Sequence, residues 1–190
     1  FSFIALLLTF VYSQFTFSLP LQLEAIFAEE GAVFYGALMT TNALVVIFLT
    51  TPAIAATRLV KPVLSVAIAA LLFAVGFGMI YFVNAIGLFV ISTIIWTVGE
   101  ILQATNVNVY IANHTPISHR GRFNSVLPII IGTGFALGPP MMGAFIERVG
   151  MRQVWLVAAV LSLVSAAALV LLYLLENRRD AHPVPAVIEE

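Results

Sequence analysis

The sequence predicts an all-α membrane protein whose six transmembrane helices pack as one bundle. Three observations carry that reading. Of 190 residues, 62% are apolar and only 9% charged, with a mean hydropathy of +1.09, whereas a soluble domain has about a quarter of its residues charged. The apolar residues come in runs of roughly 20, the length a helix needs to cross a bilayer. Basic residues gather at the ends of these runs. The runs are too long and too uniformly apolar for the short alternating segments of a membrane barrel.

The expected spans are residues about 2–22, 33–57, 63–83, 87–112, 123–145 and 153–175. The first, FSFIALLLTFVYSQFTFSLPL, has no basic stretch before it and no cleavage pattern after it. It also exceeds a signal-peptide core, so it reads as a spanning helix of a longer chain. The connections LEAIFAEEGA, RLVKP, NAIG, NHTPISHRGR and ERVGMR then separate the remaining helices. From Glu176 to Glu190 the chain is polar and carries prolines, and is expected to be a disordered tail.

Six spans place both ends on one side. Arg58, Lys61, Arg120, Arg122, Arg178 and Arg179 fall on that face, against Arg148 and Arg152 on the other. The positive-inside rule makes the first face, and the tail, the cytoplasmic side of a cell membrane, inner or plasma. The loop with Glu24, Glu29 and Glu30 is then external. Pairing with Glu147 and with helix-end carbonyls would account for the two external arginines.

Charge and motifs exclude other classes. A net charge of −1 argues against a nucleic-acid partner, and the absence of cysteine removes disulfides and thiolate chemistry. There is no phosphate-cradling glycine loop of the Walker type. His114, His119 and His182 lack metal-ligand spacing, and a Ser-His-Asp arrangement would have to draw on Asp180 in the tail. Nothing points to an enzyme or a cofactor.

What remains is one acid. Between Lys61 and Arg120, Glu100 is the only Asp, Glu, Lys or Arg. With about 12 residues of helix on either side it lies near the bilayer midplane. There a charged side chain costs roughly 2.5–3.5 kcal/mol on translocon scales, and transporters place substrate and ion sites at that depth. At 100° per residue, Gln103, Val107, Tyr110 and His114 share its face, with Asn106 at the edge. Ile91, Ile95, Val98, Leu102, Thr105 and Val109 form the opposite, lipid-compatible face. Tyr12 and Gln14 of the first helix are candidate company, although both cannot point inward squarely. Asn42, beside Thr40 and Thr41, is another, either at the site or in a helix–helix hydrogen bond. In the fifth span Gly134 and Gly138 have the small-xxx-small spacing that lets helices approach closely, and Pro139 and Pro140 are expected to bend or interrupt the helix.

These residues carry a resemblance. WTVGE at Trp96–Glu100, the stretch from Tyr110 to Pro116 and RGRFN at Arg120–Asn124 resemble the tenth helix and following cytoplasmic loop of major facilitator superfamily transporters. GTGFALGPPMMG at Gly132–Gly143 resembles the eleventh helix, and SLPLQL at Ser18–Leu23 the outer end of the seventh. The drug:proton antiporter branch is the nearest match. The resemblance implies one C-terminal six-helix bundle of that fold, partnered by an N-terminal six-helix bundle in the same full-length protein. It also implies alternating access for protons and a small-molecule substrate, with Glu100 in proton coupling. Arg58, Arg120 and Arg122 in the cytoplasmic loops then join the glycines and prolines as candidate conformational residues. One departure is ATRLVKP, where Thr57 and Val60 replace the Asp and Gly of the superfamily loop signature. The alternative is a membrane interaction or scaffold module without transport activity.

The layout makes a direct prediction. A cysteine introduced at Ser118 should react with an impermeant reagent only from the cytoplasmic side, and one at Ala28 only from outside. The opposite sidedness would overturn the topology.

Overall fold

Prolines and glycines decide where the helices start, break and touch. The computed structural model describes residues 1–116 and 120–181, with side chains except at residues 120, 122–124 and 179–181. Its helices are α1 (Ser2–Tyr12), α2 (Ser18–Phe27), α3 (Gly31–Thr57), α4 (Pro62–Ile80), α5 (Ile86–His114), α6 (Arg120–Val149) and α7 (Gln153–Ala181). Short 3-10 turns, Ser13–Phe15 and Ala28–Glu30, join α1 to α2 and α2 to α3.

The first expected span is therefore broken. Pro20 has no N–H for the Thr16 carbonyl and its ring crowds that carbonyl, so the helix cannot run through unchanged. The chain tightens at Ser13–Phe15 and passes Phe17 at φ −110°, ψ −63° before α2 resumes. Side chains cover the exposed carbonyls: Ser13 Oγ donates to Phe10 O at 2.7 Å and Thr16 Oγ1 to Ser13 O at 2.8 Å.

The loop expected around residues 23–32 is instead a tight corner between helices. Ala28 turns the chain at φ +49°, and Gly31 lies so close to α2 that a Cβ there would stand 2.7 Å from the Glu24 Cα. The rings of Phe27 and Phe34 meet edge to face, 4.8 Å apart. Five helical stretches among the described residues are long and apolar enough to cross a membrane, and the first, Ser2–Thr57, is 56 residues long. Straight, it would measure about 84 Å, against roughly 30 Å of bilayer hydrocarbon. It folds back on itself, since Tyr12 of α1 and Asn42 of α3 both reach Glu100. Elsewhere α5, α6 and α7 run past the expected ends, while α4 stops at Ile80, short of residue 83. α7 continues to Ala181, so the expected tail begins as helix; residues 182–190 lie outside the described residues.

α4 is the centre of the bundle, packed between α5 and α7; α1 lies on α6 and touches α7, while α3 leans on α5 and, at its start, on α2. Small residues permit the close contacts. A Cβ on Gly76 would stand 2.8 Å from the Trp96 backbone, and Ser92 Oγ donates to Gly76 O at 2.7 Å. Phe77 then stacks between Trp96, at 5.5 Å and 12°, and Trp155, at 6.0 Å and 15°. Offset aromatic pairs of this kind add about 0.5–1.5 kcal/mol beyond their buried area. Gln22 completes the tie: Trp155 Nε1 donates to its Oε1 at 2.5 Å and its Nε2 donates to Ile80 O at 3.3 Å, joining α2, α4 and α7.

The expectation for α6 is met in one part and corrected in another. Gly134 and Gly138 do face α1, where a Cβ would collide with Leu6 O and Ser13 Oγ respectively. Pro139 and Pro140 do not interrupt the helix, which runs unbroken from Arg120 to Val149 with Pro128 also inside. One physical reason covers all three prolines: apolar surroundings offer the remaining backbone groups no partner better than the helix.

Gly138→Val should lower the thermal unfolding temperature in detergent, by about 1–3 kcal/mol of overpacking. Gly36→Ala, where nothing lies within 4 Å of the added Cβ, should not. Equal losses would show that α1 and α6 do not meet at Gly138.

Candidate functional site

Glu100 sits midway along α5, half-buried. An ionised carboxylate in apolar surroundings needs donors to replace water. Asn42 of α3 supplies one, its Nδ2 lying 2.8 Å from Glu100 Oε2 and 3.0 Å from Thr97 Oγ1. The Thr97 hydroxyl is itself committed to Thr93 O at 2.6 Å. From the other flank the Tyr12 phenol of α1 lies against the same carboxyl, with Tyr35 of α3 beyond it. Among the described residues no basic side chain pairs with Glu100.

The carboxyl opens onto a cavity of about 830 Å³, walled by Ala5 and Tyr12 of α1, the Glu100–Ala112 face of α5 and the Leu127–Gly132 segment of α6. Along α5 this is about 18 Å. Glu100 and Tyr12 lie at one end, and Ala112 lies toward the α5–α6 connection. Besides those two, the polar groups on its walls are Gln103 and Asn108. Gln103 Nε2 reaches across to Thr9 Oγ1 at 3.4 Å, linking α5 to α1. The remaining lining is apolar, and the exposure of Ala104, Asn108 and Ala112 leaves the cavity open along its length. Such a chamber can hold a small molecule with an apolar body and present it to one acid and a few neutral donors.

The structure divides the expected site residues. Glu100, Gln103 and Tyr12 line the cavity together, and Asn42 joins them through the carboxylate. Gln14 does not: its Nε2 donates to Phe10 O at 3.1 Å, Ser18 Oγ donates to its Oε1 at 2.7 Å, and it is packed beside Gly138. Of the pair that could not both face inward, Tyr12 does. Asn106 also turns away, donating to Leu102 O at 2.9 Å and to Thr105 Oγ1 at 3.0 Å. Leu102, on the expected lipid face, is only 4% exposed. The open face of α5 is rotated from the expected one because α3 and α4 cover two of its flanks. Asn108 was missed for that reason, and its signal was the four-residue step from Glu100 through Ala104.

Tyr110 belongs to a second cluster, at the end of α5. Its hydroxyl donates to Glu176 Oε1 of α7, and its ring stacks on Phe1 at 3.9 Å and on His114 at 4.0 Å. His114 Nε2 lies 3.6 Å from the same Glu176 oxygen. Lys61 Nζ donates to Asn177 Oδ1 at 3.3 Å and lies 5.6 Å from the Tyr173 ring. A cavity of about 440 Å³ separates these groups. The α7 segment expected as tail thus closes the end of the bundle against α4 and α5. Arg58 is exposed, while the side chains of Arg120 and Arg122 lie outside the described residues, as do Ser118 and His119. At the opposite end Arg152 donates to Asn84 Oδ1. That bond replaces the expected pairing with Glu147, which makes no ion pair among the described residues.

The family model for the Major Facilitator Superfamily matches residues 1–189. The chain belongs to that superfamily. No curated protein matches it. Superfamily membership and five long apolar helical stretches together make this a multi-pass membrane protein of transporter type, in a family of transporters rather than enzymes. They also put Glu100 inside the membrane-spanning region of a transporter fold, where an acid with neutral donors is a candidate ion or substrate contact.

The cavity's placement is testable because the chain contains no cysteine. Cysteines at Gln103 and Asn108 should react readily with a small charged thiol reagent, and one at Asn106 at least about tenfold more slowly. Equal rates at residues 106 and 108 would show that the open face of α5 is not the one described.

Proposed function

We propose that this chain is the C-terminal half of a proton-coupled secondary transporter, an exporter of drugs or other small solutes that works by alternating access with an N-terminal six-helix bundle. The observation that carries the reading is Glu100, a carboxyl that no basic side chain among the described residues pairs with, at one end of a mostly apolar cavity. Its companions Tyr12, Asn42, Gln103 and Asn108 can bind and orient a solute, but none is a cation that would neutralise the acid permanently. A proton and a solute can therefore take turns there. The fold-back of Ser2–Thr57 supports counting six crossings, α1 with α2 as one and α3 as the next. Basic residues favour a cytoplasmic C-terminus in a cell membrane, inner or plasma. On that orientation the cavity leads from Glu100 toward the cytoplasm, as loading of an exporter requires.

The sequence of chemical events is short. Ionised Glu100 attracts a cationic solute or a proton into the chamber. Binding removes the net charge, and a neutral site crosses between access states at lower cost than a charged one. Release on the far side restores the carboxylate. Glu100→Gln in the full-length transporter should preserve folding and insertion, since the amide keeps the size of the acid, yet abolish pH-driven uphill flux. Glu100→Asp should retain part of it. Flux of normal rate and pH dependence in the Gln variant would reduce Glu100 to a structural role.

A further inference from the structure

We propose that Asn42 is a positioning residue that reports the charge of Glu100 to α3, and that Thr97 gives the report its sign. This rests on the reading that Glu100 gains and loses a proton in the working cycle.

The argument begins with which atoms can donate. Asn42 presents Nδ2 to two acceptors at once, Glu100 Oε2 at 2.8 Å and Thr97 Oγ1 at 3.0 Å. A side-chain amide could in principle turn over and present its oxygen instead, accepting from a neutral carboxyl. Thr97 forbids this. Its proton is committed to Thr93 O at 2.6 Å, so toward Asn42 it offers lone pairs only, and an amide oxygen there would face them. The amide is thereby locked as a donor, and a locked donor discriminates. To an ionised carboxylate it makes a charge-assisted bond, roughly twice as strong as a neutral one. Once Glu100 is protonated it makes the weaker neutral bond, or none if the proton sits on Oε2.

The consequence falls on the stretch of α3 beyond Asn42, which buries no residue within this chain. The buried residues of α3 are Gly31 and Leu38, both on the near side of Asn42. Beyond Asn42 no residue of α3 is buried, and Leu44, Ile47, Phe48 and Ile54 are exposed. The side chains that do bond there turn inward on their own helix: Thr50 Oγ1 donates to Val46 O and Thr57 Oγ1 to Ala53 O. Asn42 thus ties α3 to α5 just before a long, lightly packed segment. Ionised Glu100 holds that segment against α5, and protonated Glu100 loosens it.

The other titratable groups near the carboxyl do not compete for this role. They are Tyr12 from α1 and, behind it, Tyr35 from α3. The α6 wall of the cavity contributes none, and neither does α4 between Pro62 and Ile80.

The experiment places spin labels on cysteines at Ile54 of α3 and Val109 of α5, both exposed, in an otherwise cysteine-free full-length transporter. Distance distributions are then measured at acid and alkaline pH. The wild type should show a longer component that grows as pH falls. Asn42→Leu should show that component at every pH. Thr97→Val frees the amide to turn over and accept from neutral Glu100, so it should stay short at every pH. These opposite effects are what a merely structural tie would not produce. A wild-type distribution unchanged by pH, or a Thr97→Val variant that behaves like the wild type or like Asn42→Leu, would overturn the proposal. Should Asn42→Leu fail to insert, the wild type and Thr97→Val still decide. Transport by Glu100→Gln is scored separately. A pH-blind α3 in a transporter that Glu100→Gln inactivates removes the role of Asn42 and leaves the proposed function standing.

Discussion

An acid removed from water must be given its hydrogen bonds back by the protein, and the arrangement around Glu100 follows from that demand. Neutral groups meet it, an amide from α3 on one flank and a phenol from α1 on the other. To deliver both, the chain has to double back between Tyr12 and Asn42, which is what the break before Pro20 and the corner at Ala28–Gly31 accomplish. Had an arginine answered the carboxylate instead, the pair would be satisfied for good and the cavity would hold no charge to exchange. Neutral donors leave its charge uncancelled.

The same bundle is uneven in its cohesion. α4, α5 and α7 are bound by close backbone approach at Gly76, by the Trp96–Phe77–Trp155 stack and by the Gln22 bridge to Ile80 and Trp155. These contacts are tight, directional and buried, so the three helices behave as one body. α1 and α6 form a second pair through Gly134 and Gly138. The cavity lies between that pair and α5, while α1 also joins the core through Ala5, Leu8 and Val11. α3 is bonded to neither in more than part of its length.

Much of this was legible in the sequence, for identifiable reasons. Uniform hydropathy and the placement of arginines mark helices long before their packing is known, and an isolated glutamate in such a run announces itself. Gly134 and Gly138 were readable because close approach admits few residue types. Packing partners were not readable. Which flanks of α5 are covered depends on how α3 and α4 lie, so the open stripe was misplaced and Asn108 overlooked while Asn106 was favoured. Gln14 was taken for the cavity because hydrogen bonding within a helix kink looks, in sequence, the same as a polar group facing a chamber. The prolines carry a related ambiguity. α1 ends before Pro20 while α6 runs on through Pro128, Pro139 and Pro140, and whether a lost backbone donor ends a helix depends on the turns and side chains packed around it.

The light packing of α3 also has a mechanical side. From Asn42 to Thr57 the helix extends about 22 Å, anchored at its near end by the corner at Ala28 and by Leu38. It is a lever with its fulcrum beside the acid. A tilt of about 10° beyond Asn42 would carry the tip roughly 4 Å sideways. The tip is where α3 hands over to Arg58 and the connection to α4. On the proposed release of the Asn42 bond, a small change beside the acid would thus be enlarged at the far end of the helix without any helix having to unwind.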